Sequence, residues 1–299
     1  MSLTDKNSEL KPPPRGLTAY ERLKRQRLRY DFTKRMLGSI GVANTLKTIY
    51  SRIAKAKAET ALVTKPTGLK HPLHLTTTPS DTWSYDEVFQ RQVYALPEDL
   101  AKNINGKAIV DIGAYIGLAS AYFASHYPDS PVIAIEPHPR NQAYLSINAA
   151  RYGDQIHVIP GAVTPTQQPI GMQIFGNNEA DYMANCFDSE SGSSQPTNVN
   201  AITPADILLT LGEREVGILK VDIEGAERAL FLAPEIDPLL QRTYILMIET
   251  HEAFMQGSEL AVREAIERNN FVAVGANDGH TFIYVNPNLS TVRALSYQM

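Results

Sequence analysis

The sequence predicts an α/β chain: a mostly parallel, Rossmann-like sheet with a C-terminal antiparallel hairpin and a helical extension at the N-terminus. Three observations carry that expectation. From residue 106 onward, short apolar runs alternate with helix-like segments, as in strand–helix–strand units with helices on both faces of a parallel sheet. The first run is followed at once by a glycine turn and a helix start. Four of the runs end in acidic residues, and open α/β sheets bind ligands beyond the carboxyl ends of their strands.

The stretch 108–120, AIVDIGAYIGLAS, comes first. Ala108, Ile109 and Val110 are short and apolar, as a strand covered on both faces requires, and Asp111 closes it. Gly113 and Gly117 bracket a turn, and 118–125 continues as helix. Glycine lets the backbone approach a ligand closely, and the helix start offers unpaired N–H groups. A dinucleotide-binding turn needs G-x-G-x-x-G, whose middle glycine admits the pyrophosphate. Here Tyr115 holds the middle position and Leu118 the third, which disfavours a nicotinamide cofactor. D-x-G-A-x-x-G, with Ala114 in the turn, is instead similar to the first motif of S-adenosylmethionine (SAM) methyltransferases. About twenty residues after Gly117 the apolar run 131–135 ends in Glu136 and Pro137. An acid there suits a pair of ribose hydroxyls in either cofactor class, so the glycine pattern makes the choice.

The chain has 299 residues, 43% of them apolar, and a formal net charge of −4. That suffices for one sizeable core plus an extension. The single cysteine, Cys186, lies in a polar, loop-like stretch, excludes an internal disulfide framework and fits a reducing, cytoplasmic setting. The first sixteen residues lack the apolar stretch of a secretory leader, and no run approaches the roughly twenty apolar residues of a membrane span. Half of the 28 lysines and arginines fall within the first sixty residues, densest over 22–35. Residues 1–70 therefore read as a basic helical extension, helical over 18–61, and 71–299 as the catalytic domain. The arm is expected to pack on its own acidic domain or on a second subunit in a homo-oligomer. Peripheral contact of 1–60 with an anionic membrane is the alternative. Nucleic acid is disfavoured, because no aromatic residues interleave the charges.

Residues 62–75 read as loop. Asp81 or Ser84 is expected to cap a short helix running to Tyr94, with Trp83 in the core. Strands follow at 108–111, 132–136 and 156–160, with a helix over 139–150. The segment 161–200 breaks the rhythm, with a short hairpin around 170–175 and a long polar loop whose Asn177, Glu179, Asp181 and Tyr182 could line a substrate mouth. At the C-terminus a helix over 259–269 precedes strands 271–276 and 280–285 around the turn signal Asn277-Asp278-Gly279.

The chemistry concentrates in two runs. GILKVDIEGAE (217–227) is a strand ending in charge, then a glycine turn and a helix start, with Lys220 and Asp222 on one face. YILMIETH (244–251) repeats the logic, with Glu249 and His251 sharing a face. Charges at the end of a buried strand are costly unless paired or used. Lys220 is expected to pair with a neighbouring carboxylate. Asp111, Glu136, Asp222, Glu249 and His251 all fall at carboxyl ends of strands.

DIGAYIG, IEPHPRN with the later Asn148, ILKVDIEGAE and IETH together resemble the FkbM-type SAM-dependent methyltransferases over roughly 75–285, and SDTWSYDEVFQRQVY resembles the segment preceding their first strand. The resemblance implies a class I methyltransferase fold and O-methylation of hydroxyls on sugars, glycans or polyketide-like molecules. By position it implies that Asp111, Gly113, Ala114, Tyr115, Gly117, Glu136 and Pro137 serve the cofactor, while Asp222, Glu224, Glu249 and His251 line the reacting end. It covers neither residues 1–60 nor the loop 176–200.

An unactivated hydroxyl needs its proton removed, so a base or a metal is required. His251 is the first candidate base and Asp222 the second, with Glu224 beside them. Alternatively Asp222, Glu249 and His251 could hold a divalent cation that acidifies the hydroxyl. Outside this class stand a nicotinamide oxidoreductase, disfavoured by Tyr115 and Leu118, and a non-catalytic SAM-binding scaffold targeted by its basic arm.

Overall fold

The computed structural model of the chain describes residues 40–53, 60–167, 170–175, 183–188, 199–252, 255–276 and 280–289. Helix α1 (Gly41–Ile53) precedes an antiparallel hairpin of β1 (Ala61–Thr64) and β2 (Leu73–Thr76). Helix α2 (Pro79–Tyr85) continues as a π-helical turn over Asp86–Arg91 and is followed by the single turn α3 (Glu98–Ala101). Then come β3 (Ala108–Ile112), α4 (Leu118–His126), β4 (Val132–Glu136), α5 (Pro139–Ala149) and β5 (Ile156–Pro160). Next in order are β6 (Ala162–Val163), the antiparallel pair β7 (Ile170–Phe175) and β8 (Met183–Asp188), and β9 (Ala201–Ile202), which pairs back to β6. The chain closes with α6 (Pro204–Leu211), β10 (Val216–Val221), α7 (Glu227–Leu232), α8 (Asp237–Gln241), β11 (Thr243–Glu249), α9 (Ser258–Arg268), β12 (Val272–Ala276) and β13 (Thr281–Val285).

Seven strands make the central sheet in the order β12-β13-β11-β10-β3-β4-β5. The five from β11 to β5 run parallel, and β13 and β12 add an antiparallel hairpin at the edge. Strands β3, β4 and β10 are buried along their whole length, which their continuous apolar sequences require. Alternation divides their side chains between two cores. Ile109, Val132, Ala134 and Ile218 join a cluster with α4, α5 and the β1–β2 hairpin. Val110, Ile112, Ile133, Leu219 and Val221 join another with α6 to α9. The order reverses between β3 and β10, so the switch point of the sheet lies where the β3 and β10 turns meet.

Several expectations are corrected. Residues 62–75 are loop only over 65–72: the ends of the stretch are β1 and β2, and Leu62, Leu69, Leu73 and Leu75 are buried in the first cluster. Residue 70, where the sequence reading divides extension from domain, lies between β1 and β2. Of the helical stretch expected over 18–61, with Gly38 and Gly41 separating two helices, the described residues show a helix that starts at Gly41 and runs to Ile53, and Ala61 already begins a strand; residues 18–39 and 54–59 lie outside the described residues. The basic cluster at 22–35 lies outside the described residues, as do Asn177, Glu179, Asp181, Tyr182 and the turn 277–279. Cys186 sits in β8, not in a loop. His251 lies beyond the end of β11 and not within it. Among the described residues, no helix is long and apolar enough to cross a membrane.

The cap of α2 is Thr78, whose hydroxyl accepts from the Asp81 amide. Asp81 is instead fully buried and serves as an acceptor. It takes both guanidinium arms of Arg140 at 2.9 Å, the Thr76 amide at 2.7 Å and the Tyr115 hydroxyl at 2.6 Å. Burial raises its pKa, but the Arg140 guanidinium and these hydrogen bonds outweigh it and hold the carboxyl below its ordinary value. Its stabilising contribution is therefore complete above the unfolded pKa and is lost as pH falls through the lower folded one. Arg140→Met strands this carboxylate without its cation. It is expected to cost about 3–5 kcal/mol, read as a lowered urea midpoint. A loss within about 0.5 kcal/mol, the size expected of a neutral surface change, would show that the pair is not needed.

Candidate active site

A cavity opens at the carboxyl ends of the parallel strands. Gly113 and Tyr115 line it from the turn after β3, and Glu136 and Pro137 from the end of β4. Asp222 and Glu224 line it from beyond β10, Glu249 from the end of β11 and His251 from just beyond it, and Ser80, Trp83, Ser84 and Glu87 from the N-terminal segment.

The two halves of the cavity meet backbone to backbone. A Cβ on Gly113 would lie 1.8 Å from the carbonyl oxygen of Asp222, and Gly113 has φ +76°, so only glycine fits there. The Asp222 amide donates to the Ile112 carbonyl at 3.1 Å. Tyr115, two residues on, also takes the left-handed region, at φ 52°. A bulky residue holds that conformation only when its surroundings over-determine it. Here its amide donates to Glu136 at 2.9 Å and its hydroxyl to Asp81 at 2.6 Å. Burial and the adjacent Asp81 push the phenol pKa up, so it stays a donor.

Glu136 accepts from the amides of Tyr115 and His138, each at 2.9 Å, and from Asn141 at 3.2 Å. A carboxylate has about four acceptor positions, so one stays available on the cavity side. Burial pushes its pKa up to about 7 despite those donors.

The remaining cofactor candidates are placed elsewhere. Asp111 does not reach the cavity wall. It is fully buried beneath the turn, 3.1 Å from the Lys220 ammonium and accepting from Ser120 at 2.6 Å. Ala114 is buried, and Gly117 packs against Leu145, where a Cβ would lie 2.7 Å from its Cδ1. These three shape the turn from behind. Lys220 pairs as expected: its ammonium also donates to the Gly113 carbonyl at 2.7 Å and lies 3.6 Å from Asp222. Burial works against its charge, but Asp111 and Asp222 outweigh that and raise its pKa.

At the other end His251 is ringed by carboxylates. Its Nδ1 lies 2.7 Å from Glu227, and its Nε2 lies 3.3 Å from Glu224, 3.8 Å from Asp222 and 4.0 Å from Glu249. Burial lowers the imidazole pKa, yet the Glu227 hydrogen bond and the other carboxylates raise it above its ordinary value. Glu224, buried and crowded by Asp222 and Glu249, is raised as well. Asp222, Glu224 and His251 each offer a ligand atom, all within 4.8 Å of one another. That set has Glu224 where the sequence reading placed Glu249. The mixed oxygen and nitrogen donors suit several divalent cations.

Glu227 closes the GILKVDIEGAE run, and nothing in linear spacing shows that it reaches a histidine 24 residues away. Trp83 is not core: it is 52% exposed at the cavity rim, its Nε1 donating to Glu87 at 2.8 Å. One tryptophan in a polar segment carries no burial signal of its own.

The model of the methyltransferase FkbM domain matches residues 111–273. The chain belongs to the FkbM methyltransferase family. Its mostly parallel sheet with an antiparallel C-terminal hairpin is Rossmann-like. A curated relative is the AMB antimetabolite synthetase AmbE of Pseudomonas aeruginosa, 23% identical over 222 residues. The match takes in 62% of this chain but only 10% of that far longer protein. Among solved structures, an FkbM methyltransferase from Methylobacillus flagellatus KT aligns with a TM-score of 0.40 and 17% identity, over 60% of this chain and 43% of that one. The fibrillarin of Aeropyrum pernix, solved with natively bound SAM, aligns at 0.37 and 11%, over 67% and 73%.

Trp83 is the only tryptophan and lines the cavity, so SAM titration is expected to change the intrinsic emission of this FkbM methyltransferase. Trp83→Phe should silence the tryptophan signal while calorimetric binding persists. An unchanged wild-type spectrum at saturating SAM would separate Trp83 from the cofactor's surroundings.

Proposed function

We propose that this methyltransferase transfers the methyl group to a hydroxyl, on a sugar, glycan or polyketide-like acceptor. The observation that carries the reading is the cluster of proton acceptors, Asp222, Glu224 and His251, facing the cavity that Glu136 and Gly113 also line. A hydroxyl must lose its proton during transfer, and this cluster can take one.

The chain's residues fit the cofactor. Glu136 is buried, held by three donors and left with capacity for ribose hydroxyls, and Gly113 lets the β3 turn close on the Asp222 carbonyl so that both turns line one cavity. Gly113, Tyr115, Glu136 and Pro137 would hold SAM, and Asp111, Ala114 and Gly117 would shape the turn that receives it. Bound there, SAM supplies an activated methyl on a cationic sulfur, whose charge lowers the proton affinity of ionisable groups sharing the cavity. His251, held between Glu227 and Glu224, accepts the acceptor's proton at Nε2, and Asp222 and Glu224 offset the resulting charge. Alignment of the hydroxyl falls to the cavity walls.

Two outcomes are expected. Because burial raises Glu136 to about 7, its carboxylate is protonated in the free protein below that pH. SAM affinity should therefore rise by up to about tenfold per pH unit on approach to 7 and level off above it. Glu136→Gln should bind weakly and without that slope. A flat wild-type profile would remove Glu136 from the ribose site.

With an acceptor found by screening sugars, lipids and polyketide-like alcohols, His251→Ala should lower kcat by about 10²–10⁴-fold. Turnover should persist in excess EDTA on metal-stripped protein. A wild-type rate in His251→Ala would dispose of the base. A loss in EDTA restored by magnesium or manganese would assign Asp222, Glu224 and His251 to a cation instead.

A further inference from the structure

We infer that Glu227 is a positioning residue of the reacting end: it fixes the His251 imidazole with a proton on Nδ1 and Nε2 presented to the cavity. The inference rests on the reading of His251 given above, and its grounds are geometric. Glu227 opens α7 without capping it, since no side-chain hydrogen bond caps that helix. Its side chain is fully buried and is absent from the cavity lining. One of its oxygens, Oε1, lies 2.7 Å from Nδ1 of His251, and the other, Oε2, is buried with no hydrogen-bond donor.

A carboxylate only accepts hydrogen bonds, so the short contact places the hydrogen on Nδ1. With Nδ1 engaged from behind, Nε2 is the nitrogen left on the side of Glu224, Asp222 and Glu249. Burying a carboxylate whose second oxygen has no donor is expensive, and satisfying α7 does not require it. Orienting the imidazole gives that cost a purpose. The same arrangement fixes the ring and its tautomer wherever a histidine must offer one chosen nitrogen to a proton or an ion. His251 needs it because it lies in the loop beyond β11, where no strand ladder sets its orientation.

The test is NMR of the full-length protein with 15N-labelled histidine, without cofactor, at neutral pH. The wild type is expected to show an exchange-protected, far-downfield proton on Nδ1 of His251, assigned by its loss in His251→Gln. Glu227→Gln should shift that proton upfield or let it exchange away, while calorimetric SAM affinity is retained. With an acceptor in hand, Glu227→Gln should lower kcat by about 10–100-fold and leave the KM for SAM unchanged. A wild-type His251 without a proton on Nδ1 overturns the inference, as does a Glu227→Gln spectrum with the resonance in place or an unchanged kcat. If Glu227→Gln does not fold, the wild-type spectrum decides alone. Failure of the wild type to bind SAM by calorimetry would refute the function proposed above, and the NMR result would stand apart from it.

Discussion

The structure depends on the approach of two backbone turns at the switch point of the sheet. Gly113 sits against the carbonyl of Asp222 with no room for a Cβ, and Lys220 spans the joint from below, reaching Asp111, Gly113 and Asp222. Parallel strands end at the same level, so a close pair of neighbouring ends makes one cleft from two turns. The β3 turn brings Gly113 and Tyr115 to the cavity, and the β10 turn brings Asp222 and Glu224. Had either turn stood off by the size of a side chain, the two halves would not share a cavity. The buried lysine earns its place by neutralising two carboxylates where apolar strands give way to charge.

The N-terminal segment is built into the same site. Asp81, held by Arg140, receives the Tyr115 hydroxyl, and the Tyr115 amide reaches Glu136. One chain of hydrogen bonds thus runs from the start of α2 to the cavity-lining Glu136. It keeps Tyr115 in a backbone region that its side chain disfavours, and so keeps Glu136 aimed. Placing α2 this way also sets Ser80, Trp83 and Ser84 along the cavity rim. The segment preceding the first sheet strand is part of the cavity wall and no mere tether.

Charge distinguishes the two ends. Near Glu136 a single carboxylate is surrounded by donors, and its burial leaves it poised near neutrality. Near His251 four carboxylates surround one imidazole, and they raise its pKa while Glu224, crowded among them, is raised too. A site that must take up a proton while a positive charge disappears from its substrate benefits from such a cluster.

The sequence by itself determined the fold class and pointed to the strand-end acids that line one cavity. Buried parallel strands must be continuously apolar, and acids at their ends stand out against that background, so Glu136, Asp222, Glu249 and His251 were legible, as was the glycine turn. Family membership follows from the same runs. Tertiary structure alone decided the roles within those motifs. Asp111 has the same local pattern as Glu136, yet Lys220 draws it beneath the turn while Glu136 faces the cavity. Glu227, Arg140, Asp81 and Trp83 act through partners 24 to 59 residues away or through exposure at a rim. Periodicity reports which way a side chain leaves its own backbone, but which distant group it meets there depends on how the elements pack.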